Sequence, residues 1–475
     1  MGKYTYLMKN VGLLTLSSFT TKLLSFFLVP LYTSVLSTGE YGTYDLFNTT
    51  ISLLVPLLTF DIQEAVLRFS IDKDADHGTI WRVGCRYTVI SCLIVVFGVL
   101  FNSVTGIFSV LQEYAVEFLL LYALTAFSSV LLFFVRGIGK IADLSIAAIL
   151  SCTVMIGCNI FFLLVLKIGL YGYFWASILG SAVQCLYLLI KSNILKEFRQ
   201  SKKDPLLQKK MVGYSKPMVA NAISWWINNA SDRYVVTWFC GMAANGIYSV
   251  SYKIPSIMSM LQSVFGQAWT LSATKEFDPE DKDGFFVNIY NVYNFLLMFS
   301  CSFLIFADKL IAKILFAKDF YAAWQYAPFL MISTVFSGMA AFLGGVLSAM
   351  KKSGLFAKSS VITAVVNTIL NIVLVSFIGP LGAAFSTAVA YVLMWLIRLR
   401  QVRKYIVLRI NYKRDAMAYL ILTVQAVLLL IRAGENYIDL YQIFFAAVIL
   451  ALYAKEVKEM GKKLALKAKN PIDEK

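Results

Sequence analysis

Hydrophobic residues in this chain come in long unbroken runs, and polar residues collect in short clusters between them. At about 20 apolar residues per bilayer crossing, the runs predict fourteen helices. They lie at roughly 10–36, 41–70, 80–104, 113–136, 141–166, 169–191, 214–240, 245–273, 284–306, 322–350, 354–378, 381–403, 415–432 and 437–455. The longest polar interruption, SNILKEFRQSKKDPLLQKKMVGYSK, follows the sixth run and divides the first twelve evenly. Similar segments lie on either side of it. EYGTYDLF (40–47) opens helix two and ANGIYSVS (244–251) opens helix eight. Asn159-Ile160 followed by Gly172 returns as Asn371-Ile372 followed by Gly382. The expectation is an all-α polytopic membrane protein of two repeated six-helix lobes with a passage between them, as in secondary transporters. The lobes are set at 1–200 and 214–410, joined by a basic cytoplasmic linker (201–213). Two extra helices and a basic tail fill 411–475.

Composition changes the picture in one respect. Of 475 residues, 59% are hydrophobic and 15% charged, which excludes a soluble domain, yet the net charge is +16. In a soluble protein that excess would suggest nucleic acid. Here Lys and Arg gather in alternate connections, densest from Lys191 to Lys216, from Arg398 to Arg414 and after Lys455. The positive-inside rule accounts for this, places both termini in the cytoplasm and leaves no nucleic-acid partner. The first run is too long for a signal peptide and contains Lys22. No phosphate-binding loop, metal cluster or catalytic constellation occurs, so neither an enzyme nor a cofactor is expected. His77, within DKDADHG, reads as a solvated loop residue.

The candidate chemistry is polar lining inside apolar helices. Such residues face a bundle interior or a water-filled path. Asn221, Trp225, Asn228 and Asp232 fall on one helical face, with Arg233 beside them. Beyond the turn CGMAANG, a second stripe holds Tyr248, Tyr252, Pro255, Ser259 and Gln262, with Lys253 at its edge. Helix one carries Thr15, Ser18, Lys22 and Ser25, and Lys22 sits near mid-membrane, too deep to snorkel. Helix two carries Asp45, Asn48, Ser52, Pro56 and Thr59, then Asp61, Glu64 and Arg68. Glu64 and Arg68 read as an i,i+4 pair clasping or gating the cytoplasmic end. Arg136 joins that set, although inner-side topology is the stronger account of it. Asn367 and Asn371 are in register on helix eleven, where interhelical hydrogen bonding explains them as well as a ligand does.

These residues also carry a resemblance. LSTGEYGTYDLF, RGIGK after helix four and INNASDRYVVTWFCGMAANGIYSVSYKIP together resemble the Wzx-type polysaccharide repeat-unit flippases of the multidrug/oligosaccharidyl-lipid/polysaccharide exporter superfamily. The resemblance implies two six-helix lobes in a MATE-like V. It implies movement of undecaprenyl-diphosphate-linked oligosaccharides across the bacterial plasma membrane by alternating access. It also implies a proton or sodium as coupling ion, and a polysaccharide polymerase and glycosyltransferases as partners. Lys22, Arg233 and Lys253 are then the cations for a diphosphate, and the amides and aromatics suit sugar rings. Many relatives have twelve helices. Fourteen is the pattern of peptidoglycan-precursor flippases and some Gram-positive polysaccharide transporters. Two rivals remain: a multidrug extruder of the same superfamily, using Asp45 and Asp232 for organic cations, and a membrane-embedded polymerase.

The charge distribution makes a direct prediction. Reporter fusions at Asn10 and at Lys469 both read cytoplasmic, and opposite readings overturn the fourteen-helix count.

Overall fold

The computed structural model describes residues 19–454, apart from 22, 73, 276, 351 and 433–437. Regular structure among them is helical, as hydrocarbon demands of a backbone that can bond only to itself. Nine of the described helices are long and apolar enough to cross a bilayer, and a bent pair makes a tenth. Shorter or more polar helices occupy the remaining expected spans, so the all-α polytopic membrane fold holds.

The first compact unit takes in the described part of Met1–Ser249 together with Leu315–Phe320. It contains α1 (Val29–Val35), α2 (Thr38–Leu58), α3 (Ile62–Ser70), α4 (His77–Thr105) and α5 (Ala115–Gly137). There follow α6 (Ile141–Ile160), α7 (Gly169–Ser192), α8 (Ile194–Gln200), α9 (Pro205–Asn229) and all but the last two residues of α10 (Asp232–Ser251), which is broken by a kink at Gly241 (φ 85°) within the expected turn CGMAANG. Local chemistry sets the starts. Ser37 and Glu40 form a capping box on α2, each side chain bonding the other's backbone N–H (3.2 and 2.7 Å). Asp204 caps α9 by accepting from the amides of Leu206 and Leu207, with Pro205 at the first helical position. Residues 205–213, expected within a linker, are therefore helical.

Helix two was expected to run unbroken from 41 to 70. Instead α2 and α3 meet at a 61° bend. Pro56 withdraws one backbone donor near the break, and Phe60 and Asp61 take left-handed conformations (φ 55° and 50°). The core of this unit lies where α3, α4 and α5 pack, around Ile62, Val66, Trp81, Val130 and Phe134. His77 belongs to it in part. It opens α4 and meets the Phe134 ring edge-on at 5.9 Å, so the solvated-loop reading is corrected: with Asp76 as its cap, the helix starts three residues earlier than expected.

The second unit, Val250–Ile314 with Tyr321–Lys475, holds α11 (Lys253–Lys275), α12 (Phe285–Leu315, whose last residue counts with the first unit), α13 (Ala327–Ala349) and α14 (Ser353–Ile378). It ends with α15 (Pro380–Val402), α16 (Tyr412–Ile431) and α17 (Ile438–Leu452). Helix α13 is almost enclosed, and its glycines seat the side chains of α11. Gln262 donates to the Thr334 carbonyl (2.6 Å) over Gly338, and the Trp269 indole donates to the Phe342 carbonyl (2.9 Å) over Gly345. The two extra helices are pinned to α12 by buried polar groups. Asn294 donates to Tyr453 (3.0 Å) and accepts from Tyr419 (3.0 Å), while Ser302 donates to Gln425 (2.8 Å).

Each unit contains the same helical hairpin. A Cβ on Gly172 of α7 would press on Phe162, and one on Gly382 of α15 would press on Leu374. Phe162 and Leu374 each stand three residues after the repeated asparagine. The first copy carries two more residues between asparagine and glycine, and it alone winds Phe161–Val165 as a π-helical turn.

The other repeated segment makes a contact with itself. Gly42 and Gly246, equivalent in EYGTYDLF and ANGIYSVS, face each other where α2 crosses α10. A Cβ on Gly42 would collide with the Met242 carbonyl, and one on Gly246 with the Thr38 carbonyl. Each obstructed carbonyl lies four residues before the opposite glycine, so the crossing is two-fold in pattern. Backbones this close admit no side chain. Gly42→Ala and Gly246→Ala are therefore each expected to destabilise the protein by about 1–3 kcal/mol. Gly98→Ala, in open space on α4, is expected to be neutral or stabilising. Thermal denaturation in detergent checks the contrast.

Candidate functional site

The site is created by a helix break. α9 ends at Asn229 and α10 begins at Asp232, so the stripe from Asn221 to Asp232 does not lie on one continuous helix as the periodicity predicts. The cause is local. Asn228, Asn229 and Ser231 donate to the carbonyls of Ser224, Trp225 and Ile227 (2.9, 2.7 and 2.7 Å), side-chain bonds that compete with continued winding. Amides read as ligands are thus also the chemistry that closes the last turn of α9.

The break delivers Asp232 and Arg233 to α2. Arg233 Nε lies 2.9 Å from Asp45 Oδ2, and its Nη1 lies 3.4 Å from Asp232 Oδ1 and donates to the Asn229 carbonyl (3.0 Å). Tyr248 donates its hydroxyl to Asp232 Oδ2 (2.6 Å), and Ser249 donates to Asp45. Asn245 closes the circuit by donating to the Gly42 carbonyl (3.2 Å). Side-chain exposure is 3% for Asp232, 14% for Arg233 and 18% for Asp45. Charges removed this far from water need their partners and their hydrogen bonds together. Below the ions, Trp226 donates its indole N–H to the Thr49 carbonyl (2.9 Å) and Tyr234 bonds Thr50. Gly42, Asp45 and Thr49 are spaced three and four residues apart, so one face of α2 carries the whole series.

Sequence reasoning selected Asp45, Asp232, Arg233 and Tyr248, and the structure brings all four together. It missed Ser249, Asn245 and the two glycines, though the repeat alignment set Gly42 opposite Gly246 and Asp45 opposite Ser249. Other selected residues lie elsewhere. Asn48 donates to the Tyr44 carbonyl of its own helix (2.9 Å). Asn221 and Trp225 are exposed, and Asn228 is buried. Tyr252 and Lys253, half-buried, and Gln262 belong to the second unit. So do Asn367 and Asn371, buried and bonded to each other (3.2 Å). Lys22 lies outside the described residues.

The expected Glu64–Arg68 pair is corrected. Arg68 pairs with Asp72 (2.7 Å), because α3 stops at Ser70 and the carboxylate just past its end is within reach of the last turn. Glu64 instead interacts electrostatically with Arg136 of α5, which Gly137 brings close by packing against Ser70. Asp61 is buried in the bend and accepts from Gln63 (2.9 Å). Arg398, counted only as an inner-side base, is 4% exposed. It donates to the hydroxyls of Ser359 and Ser360 and to the Ala340 carbonyl, and lies 4.2 Å over the Phe356 ring. It ties α13, α14 and α15 together. Among the described residues no group of three or more His, Cys, Asp or Glu could hold a metal ion.

Residues 7–270, more than half of the chain, match the family described as "Polysaccharide biosynthesis protein". A curated relative, a probable low-salt glycan biosynthesis flippase of Haloferax volcanii, is 22% identical over 211 residues. That match spans 43% of this chain and 44% of the relative, less than half of either. Among solved structures, lipid II flippase MurJ in an inward closed conformation superposes with a TM-score of 0.70 at 13% identity, covering 95% of this chain and 99% of that one. An inward-facing multidrug resistance MATE family transporter of the MOP superfamily gives 0.66 at 14% identity, covering 81% and 95%. At such identities the likeness is one of fold.

Arg233→Gln leaves Asp45 and Asp232 without their shared cation. It is expected to cost about 3–5 kcal/mol, as removal of one member of a buried ion cluster does. Asp45→Asn with Arg233→Gln is expected to recover at least half of that loss in the same thermal assay. An additive loss in the double variant overturns the coupling.

Proposed function

We propose that this chain, which belongs to the polysaccharide biosynthesis protein family, is a flippase. In this reading it carries undecaprenyl-diphosphate-linked oligosaccharide repeat units across a bacterial plasma membrane by alternating access, with both termini in the cytoplasm. The observation that carries the reading is the ion cluster at the glycine crossing. Topology from the Lys and Arg distribution puts the start of α2 and the Gly241 kink of α10 on the outer side. A hydrophilic glycan leaving outward needs this seal to part, and parting it separates Arg233 from Asp45.

The exchange is chemically sensible. A diphosphate offers several charged oxygens to a guanidinium in the fork geometry that Arg favours. As the seal opens, substrate oxygens take the place that Asp45 holds when it is closed, so the guanidinium stays neutralised throughout. Lys22 and Lys253 complete the proposed set of cations, and Asn48, Asn221, Trp225, Tyr252, Gln262, Asn367 and Asn371 remain proposed lining for the glycan. Asp61, Glu64, Arg68 and Arg136 are the proposed cytoplasmic gate, with Glu64 in the field of Arg136 and Arg68 paired with Asp72. The sequence has no nucleotide-binding motif, so a proton, sodium or the potential drives export. An inside-negative potential favours outward movement of anions by about 2.3 kcal/mol per charge per 100 mV. A polymerase and glycosyltransferases are the expected partners.

One observation favours a second reading. Among the described residues two carboxylates, Asp45 and Asp232, flank the Arg233 guanidinium, which suits an organic cation better than a diphosphate, as in a multidrug extruder. Polymer export in cells separates the two. Compared at equal amounts of inserted protein, Arg233→Gln is expected to abolish export, and Asp45→Asn/Arg233→Gln is expected not to restore it. Export regained in the double variant means that Arg233 serves only the fold. Increased efflux of organic cations by Arg233→Gln supports the extruder.

A further inference from the structure

Away from the ion cluster, a groove of about 1020 Å3 opens in the first unit between the start of α4, the end of α8 and the start of α9. Five bases line it: Arg82, Arg86, Lys202, Lys203 and Lys209. The one acid in its lining, Asp204, is already engaged in capping α9. The groove is organised. Arg86 donates to Gln208 (2.9 Å), which donates in turn to the Tyr87 hydroxyl (3.0 Å). Arg82 lies 5.3 Å over the Phe198 ring with its Nε buried and without a hydrogen-bond partner.

The continuation of α4 into the membrane identifies the occupant. Arg82 and Arg86 lead, at helical spacing, into Ile90, Leu93, Phe97 and Phe101, all exposed apolar residues on the same face of a membrane-spanning helix. A cluster of cations thus sits at the head of a lipid-facing apolar stripe. A soluble anion would use only the first part, and an acidic protein segment would have no use for the second. Four net positive charges exceed what one phosphate diester neutralises.

We propose that this groove is a binding site for an anionic membrane phospholipid carrying two phosphates. Arg82, Arg86, Lys202 and Lys209 hold the headgroup, and the acyl chains run down α4 along Ile90, Leu93 and Phe97. Basic pockets beside membrane helices select such headgroups through charge and desolvation. The occupant is a resident lipid of the leaflet beside the basic stretch 191–216, distinct from any transported molecule, and the proposal does not rest on the flippase reading.

The test uses the full chain purified in detergent and titrated by native mass spectrometry. The probes are tetraoleoyl diphosphatidylglycerol, dioleoyl phosphatidylglycerol, inorganic pyrophosphate and undecaprenyl diphosphate. Diphosphatidylglycerol is expected to bind most tightly. Arg86→Gln/Lys209→Gln is expected to weaken it by about tenfold or more, whereas Lys210→Gln, an exposed base outside the groove, leaves it unchanged. In the unmutated protein, where folding is not in question, diphosphatidylglycerol is expected to shield Lys202 and Lys209, but not Lys210, from an amine-reactive reagent. Equal losses in the groove and control variants, or no shielding, overturn the site. Binding of pyrophosphate or undecaprenyl diphosphate as tight as that of the phospholipid overturns the assigned occupant.

Discussion

A guanidinium held between two carboxylates, at a place where two backbones touch, is the constraint on which the first unit turns. Arg233 can reach Asp45 as well as its neighbour Asp232 because Gly42 and Gly246 let α2 and α10 approach without side chains between them. The approach in turn is worth holding only if the buried charges are matched, since an unmatched ion in hydrocarbon costs several kcal/mol. Packing and electrostatics here are one interaction. Its geometry is set by the break after Asn229 and the kink at Gly241, which together bring the carboxylate of Asp232 and the hydroxyl of Tyr248 to the same point.

The extra helices obey the same economy with neutral groups. α16 and α17 are held to α12 by the buried Asn294, Tyr453, Ser302 and Gln425 and the half-buried Tyr419, side chains that bond one another. In an apolar solvent such bonds specify partners where the hydrophobic effect cannot. Asp415 and Arg414, paired at 2.9 Å, terminate that network through Tyr453.

Much of this was legible in the chain. The apolar runs mark the spans because hydrocarbon imposes a length, and the repeated EYGTYDLF and ANGIYSVS segments mark the crossing because only glycine permits it. What stayed hidden was whatever depended on a helix stopping. The break at 230–231 contains neither proline nor glycine, and its amides keep helical spacing on either side, so periodicity reads straight through it. Arg68 has acids four residues away in both directions, and the choice between Glu64 and Asp72 is made by the end of α3. The bend at Phe60–Asp61 was foreshadowed by Pro56, but its left-handed residues carry no signature of their own. Arg398 looked like any inner-side base because the serines and the ring that surround it come from other helices.

The π-helical turn at Phe161–Val165 bears on how two copies of one hairpin remain alike. Between asparagine and glycine the first copy is longer by two residues, yet Gly172 and Gly382 rest on equivalent neighbours. A wider turn stores surplus chain without lengthening the helix in proportion, so an insertion can be wound in rather than looped out. Sequence length and spatial register are thereby uncoupled at this hairpin: duplicated halves can drift apart in the first while staying superposable in the second.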